Sequence, residues 1–314
     1  MHNEGHPGRR VLSLGALTRR PHGRRARELD YAVLGVRATG PEPAPDAGVC
    51  EIAVLRMRAD GVVTREFNTL IRPRSPVTWR ERNGIGRSDV IGAPTAADVV
   101  PALTELLSGA VVAGHGLAAA SRFLGTDFQP HGLPGGLPGL CTLRTLRSQL
   151  DLTEYSLARA SYTLNRRWPI ARHSALGEVR ACARLLAELL RNAPRELHYV
   201  GSEPVRSVVP EPGTRNGTPE GSLRLKVRTS PRGSLSEPAV RESVGELATW
   251  PYRWRRLELD PALCAGAFGE DDRAAAIRDA ELRDAGRRLL AAGAAATGAL
   301  AATGAARALV RRIH

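Results

Sequence analysis

Residues 31–71 read YAVLGVRATGPEPAPDAGVCEIAVLRMRADGVVTREFNTLI, and the order of apolar runs and turns in this stretch decides the fold. Tyr31–Val36 is a short apolar run, the mark of a buried strand. A proline-rich loop from Pro41 to Pro45 follows it. Val49–Met57 is a second strand, and Val62–Ile71 is a third. Asp60-Gly61 lies between them. This dipeptide favours a tight turn, so the second and third strands form an antiparallel hairpin.

Working outward, Thr95 follows Pro94 as a helix N-cap. Val99, Val100, Leu103, Leu106 and Leu107 then recur at helical spacing. Ala110–Ala113 is a fourth short strand. Helices are expected over 117–124, around Leu143, Leu146 and Leu150, and from Ser156 to Leu164. Ser174–Leu190 (SALGEVRACARLLAELL) is a strongly amphipathic helix, stopped by Asn192 and Pro194. Three strands followed by alternating helices and strands make a mixed sheet with helices packed on it.

The flanks read differently. Residues 1–29 are arginine-rich, have no apolar leader segment, and read as a flexible basic arm. Residues 30–194 are the main domain. Residues 195–248, rich in Pro, Gly and Ser, read as a linker, and 249–314 as an alanine-rich helical region. Leu289–Ala306 is 18 residues without a charge. Its Ala, Gly and Thr transfer little free energy, so a membrane span is the disfavoured reading. Trp250, Tyr252 and Trp254 alternate with Arg253, Arg255 and Arg256. Such a pattern can stack bases, but the preferred reading is a cluster that anchors the C-terminal helix to the main domain.

Composition bounds the function. The 314 residues carry 45 basic against 32 acidic side chains, net +13, and Lys226 is the single lysine. With so much Ala, Gly and Pro, the arginine excess is partly compositional. The charge is spread evenly, +4 over 1–30, +5 over 31–192 and +4 over 193–314. No segment is a basic tail that would bind a polyanion by itself. Cys50, Cys141, Cys182 and Cys264 have neither zinc-site nor disulfide-framework spacing, and the expectation is free thiols in a cytoplasmic protein.

Seven short pieces, in order, carry a family resemblance. They are LGVRATG at 34–40, EIA at 51–53, and Phe67 with Leu70-Ile71 and Pro73. Next come Gly84-Ile85 followed by Ala93-Pro94-Thr95, and AGHGLAAASRFL at 113–124. The last two are CTL at 141–143 with YSL at 155–157, and HSALGEVRA at 173–181. This series resembles the DnaQ-like 3′–5′ exonucleases, the DEDDh branch of the ribonuclease H-like fold. The resemblance implies a five-stranded mixed sheet flanked by helices. It also implies hydrolysis of a terminal phosphodiester by two divalent cations on four carboxylates, with a histidine helping to deprotonate water.

The sequence departs from the family at those carboxylates. The first-motif aspartate and glutamate positions are Gly35 and Arg37, and the second-motif aspartate position is Ala120. His173 is retained, and Glu178 replaces the last aspartate; these two are the catalytic remnants. Asp30, Glu42, Asp46 and Asp127 offer no convincing substitutes. No metal site and no cofactor are expected. Mg2+ or Mn2+ belongs only to the rival reading, an active exonuclease with an atypical site. Arg37 and His115 are candidate substrate-binding residues, although Arg37 can instead pair with Glu178 inside the cleft. The leading expectation is a catalytically degenerate exonuclease-fold protein acting as a nucleic-acid-binding or scaffold module, with single-stranded nucleic acid as candidate partner. A third reading is a protein-interaction module working through its C-terminal helix.

Overall fold

The computed structural model describes residues 11–74, 84–165, 174–206, 254–261 and 264. It divides into two compact units, Met1–Glu258 and Leu259–His314. Most of the expected linker and nearly all of the expected C-terminal helical region lie outside the described residues. In the first unit, β1 (Leu12–Thr18) and β2 (Arg24–Arg25) precede β3 (Asp30–Ala38), β4 (Val49–Arg58) and β5 (Val63–Leu70). Then follow α1 (Ala96–Leu107), β6 (Val111–Gly114), α2 (Leu117–Asp127) and β7 (Leu137–Cys141). The order closes with α3 (Thr142–Gln149), α4 (Leu157–Asn165), α5 (Ala175–Arg191) and β8 (His198–Val200).

The sheet runs β2-β8-β1-β7-β6-β3-β4-β5. Its β7-β6-β3-β4-β5 part is the expected five-stranded mixed sheet. Strands β3, β4 and β5 are antiparallel neighbours, and β6 and β7 join parallel to β3. This is the ribonuclease H-like α/β arrangement. Both faces are covered, which explains why β3 and β4 read as continuous apolar runs. Tyr31, Val33, Ala53 and Leu55 point into one core with α5, while Ala32, Leu34, Ile52 and Val54 point into a second core with α1 and α2. Successive strand side chains alternate between the two.

Two boundaries are corrected. Residues 12–29, expected as part of a flexible arm, contribute β1 and β2, and β1 pairs parallel with β7 and antiparallel with β8. The expected linker likewise begins too early, because His198–Val200 is a strand. These pairings join residues more than 120 positions apart, such as Leu12 with Leu137. A seven-residue run among arginines carries no local sign of a partner that distant. Gly15 fits the junction: a Cβ there would meet the Val200 carbonyl at 2.5 Å and the Tyr199 ring at 2.7 Å.

Local signals fare better. Thr95 caps α1, and its Oγ1 and backbone N–H both engage Asp98, a capping box. Ser174 caps α5 by accepting from the Gly177 N–H at 3.0 Å. Among the described residues no helix is long and apolar enough to cross a membrane.

Candidate functional site

The end of β3 (Leu34–Val36), the end of β6 with His115, the start of α2, Leu157 of α4, and Glu178 and Cys182 of α5 line one small cleft of about 140 Å³. The parallel pair β3 and β6 ends here, and the loop after β6 turns into α2 through Gly116 in the left-handed region at φ 73°. The fold therefore gathers Gly35, His115, Ala120 and Glu178, four positions that the sequence motifs put together. His173 lies outside the described residues.

Arg37 stands on the same face of β3 as Gly35, two residues on. Its Nη1 donates to Glu178 Oε1 at 2.5 Å, and its side chain is only 12% exposed. Directly across the strand pair, in register with Arg37, stands Glu51 of β4. Glu51 is buried, and its Oε2 accepts the Ala175 N–H at 2.9 Å. A carboxylate at the first turn of α5 is favoured by the helix dipole. Burial pushes Glu178 up to about 7; the nearby Glu51 charge adds to the rise, and Arg37 opposes it. Sequence reading used Glu51 as a landmark and missed this role. The available signal was an acid set between Cys50 and Ile52 in a buried strand.

Gly35 is held bare by packing. A Cβ there would lie 2.8 Å from Val179 Cγ1 and 2.9 Å from the Ala175 carbonyl oxygen, both on α5. Helix α5 thus occupies the space that an aspartate at this position would need. Ala120 offers only a methyl group.

His115 is engaged on both sides. Its Nε2 lies 2.9 Å from the Tyr155 carbonyl oxygen, which can only accept, so Nε2 carries the proton. Its Nδ1 lies 3.1 Å from Thr142 Oγ1, whose single proton is shared with the Gly114 carbonyl oxygen at 3.3 Å. Cys182 Sγ is 3.4 Å from the same hydroxyl oxygen and can supply its proton there. Burial pushes His115 down to about 4, so the ring stays neutral. Arg37 and His115, expected to meet substrate, spend these polar atoms on internal partners.

The residues present do not fit a two-metal centre. Hard cations such as Mg2+ need several oxygen ligands. Among the described residues one carboxylate, Glu178, lines the cleft, and a guanidinium already holds it. The four candidate substitutes do not reach the cleft. Asp127 accepts the Val49 N–H at 2.7 Å and pairs with Arg74 at 3.0 Å. Glu42 pairs with Arg122, and Asp30 with Arg56. Asp46 is exposed in the loop after β3. Among the described residues, no three His, Cys, Asp or Glu side chains converge to hold a metal ion.

No family model matches the chain. Over 131 residues it is 29% identical to the DNA polymerase III subunit epsilon of Aquifex aeolicus (strain VF5), spanning 40% of this chain and 64% of that protein. The chain thus spans somewhat under two thirds of the length of this curated relative. Among solved structures it is similar to a 3′-exonuclease that recognises the histone mRNA stem-loop, with TM-score 0.46 and 15% identity over 55% of this chain and 90% of that one. It is also similar to E. coli exonuclease I in complex with a dA16 oligonucleotide, with TM-score 0.46 and 11% identity over 53% and 42%. A third is the nuclease domain of 3′hExo, a DEDDh family member bound to rAMP, with TM-score 0.43 and 15% identity over 56% and 97%.

Proposed function

We propose that this chain is a catalytically degenerate exonuclease-fold protein that works by binding, as a nucleic-acid-binding or scaffold module. The observation that carries the reading is Arg37. At a position where the family places a metal-binding glutamate, it forms a half-buried ion pair with Glu178. A guanidinium there opposes a cation by about 4 kcal/mol per unit of metal charge at roughly 4 Å separation. It also consumes the carboxylate that remains. The packing of α5 against Gly35 supports the same reading, since it leaves no room to carry a ligand on that position. The cleft keeps its place in the fold while its contents have changed from ligands to packing. A relative named as a polymerase subunit is consistent with a protein that serves an assembly, and single-stranded nucleic acid is the partner class the family suggests.

The test is a trimming assay. Purified full-length protein with Mg2+ or Mn2+ is incubated with labelled single-stranded DNA and RNA, and binding is read in parallel by titration. The expected result is no shortening above background. Metal-dependent shortening that disappears in Glu178→Ala would overturn the reading and establish an active enzyme with an atypical site.

A further inference from the structure

Residues 254–258 belong to the same compact unit as residues 11–206 and are seated on them. Trp254 forms an isolated antiparallel bridge with Leu150, and the Arg255 N–H donates to the Gln149 carbonyl at 2.8 Å. The Arg255 guanidinium, 10% exposed, donates to the Arg147 carbonyl at 3.1 Å and to the Tyr155 phenol oxygen at 3.0 Å. Glu258 closes the other end. Its Oε1 accepts from Thr18 Oγ1 at 2.5 Å, and its Oε2 accepts the Arg19 N–H at 2.8 Å and Gln149 Nε2 at 3.1 Å. Burial works against the Glu258 charge, but these hydrogen bonds outweigh it and hold the carboxyl below its usual range.

This seat is specific. Gln149 is fully buried, and its amide reaches both Glu258 and the Leu17 carbonyl, at 3.2 Å. Without Glu258, a buried amide and a backbone N–H would lose an acceptor, which is costly. The seat also touches the cleft. Tyr155, whose phenol Arg255 holds, presents its backbone carbonyl to His115 Nε2, and Leu157 two residues later lines the cleft. Tyr155 further ties its own loop, donating to the Leu150 carbonyl at 2.9 Å and accepting the Leu152 N–H at 3.0 Å.

We propose that Trp254–Glu258 is a latch: seated on β1 and α3, it holds the loop Leu150–Leu157 and, through Tyr155, the His115 wall of the cleft. The seat's occupant is this chain's own segment, which fits because the acid of the strap meets an amide, a hydroxyl and a main-chain N–H, while its arginine meets three oxygen acceptors, the Arg147 carbonyl, the Tyr155 phenol and the Asp151 carboxylate at 3.3 Å. The device couples the chain beyond residue 254 to the shape of the cleft. It stands independently of whether the cleft cuts nucleic acid.

The test uses full-length protein and amide hydrogen exchange read by mass spectrometry. Glu258→Gln keeps the shape of the side chain and removes its charge; Arg255→Met removes the guanidinium. In both, amides in 147–157 and 114–117 should exchange about tenfold faster or more, while the β4–β5 hairpin stays as protected as in the unaltered protein. Arg256→Ala, at an exposed position on the same strap, should change neither. If Arg255→Met fails to fold, Glu258→Gln alone decides. Unchanged exchange over 147–157 and 114–117, or an equal rise across the hairpin, would overturn the latch. A protein that is dimeric at all concentrations, and whose Glu258→Gln variant becomes monomeric, would also overturn it, since the seat would then hold a second copy's strap.

Discussion

Arg37 and Glu178 make a pair whose behaviour with pH is open to measurement. Glu178 ordinarily titrates near 4.5 and is pushed up to about 7 in the folded chain. Between these values the folded state binds more protons than the unfolded one, so stability falls as pH rises through this window and is greatest, for this group, below it. Its side chain is about a third exposed (34%), so solvent screening reduces the effect to about 1 kcal/mol. Thermal unfolding from pH 5 to pH 8 should show the unaltered protein losing ground against Glu178→Gln. A difference between the two that does not vary with pH would refute this. The same pair decides what Arg37 does for a ligand. If the guanidinium bound phosphate, Arg37→Ala would weaken single-strand binding by about 1–3 kcal/mol and flatten its log–log salt dependence by about 0.7. Because the guanidinium is committed to Glu178, the expectation is equal affinity and equal slope at two salt concentrations, with a lower melting temperature. A weaker, flatter titration would show that Arg37 leaves Glu178 to take phosphate.

At the scale of elements, the relation of α5 to β3 distinguishes this site from a mere loss of acids. A Cβ on Gly35 would press on the Ala175 carbonyl and on Val179. Gly35→Ala should therefore cost about 1–3 kcal/mol, as overpacking a tight interface does, read by urea unfolding. A neutral or stabilising result would mean that α5 gives way easily and that an aspartate could be accommodated. The sequence told of missing acids at Gly35, Arg37 and Ala120, because motif positions are legible one residue at a time. It did not tell that a helix backbone had closed on Gly35, since that depends on packing between segments about 140 residues apart. His115 shows the same limit. Its place in the second motif was legible, but its commitment to Thr142 and Tyr155 was not. Elements with local punctuation were readable: Thr95 with Asp98, Ser174 with Gly177, and the Asp60-Gly61 hairpin all fold where their own residues direct.

At the scale of the molecule, the sheet is wider than its motif-bearing part. The four strands legible in the sequence, β3 to β6, carry apolar runs that their neighbours in sequence help to define, whereas β7 (Leu137–Cys141), interrupted by Pro138 and Gly139, was implied only by the family resemblance. Strand β1 has no such help. It inserts between β7 and β8, and its partners lie 125 residues away on β7 and 180 to 184 away on β8. Net charge likewise says little about the assembled surface, because arginines such as Arg65, Arg122 and Arg180 face Glu105, Glu42 and Glu66. Pairs of this kind add little stability where they are exposed, but they fix where the charge lies, which the net count does not show. Leu17 tests whether β1 belongs to the cooperative unit. It is fully buried in the core that also holds Tyr31, Leu146 and Leu186, and its carbonyl accepts from Gln149. If residues 12–29 were a loose arm, Leu17→Ala would leave stability within about 0.5 kcal/mol of the unaltered protein. If β1 is integral, deleting a buried leucine side chain should cost about 2–5 kcal/mol. The loss should appear as a lower denaturation midpoint with an unchanged slope, because the surface exposed on unfolding stays nearly the same. A lower slope with an early second transition would instead mean that β1, β2 and β8 unfold apart from the five-stranded core.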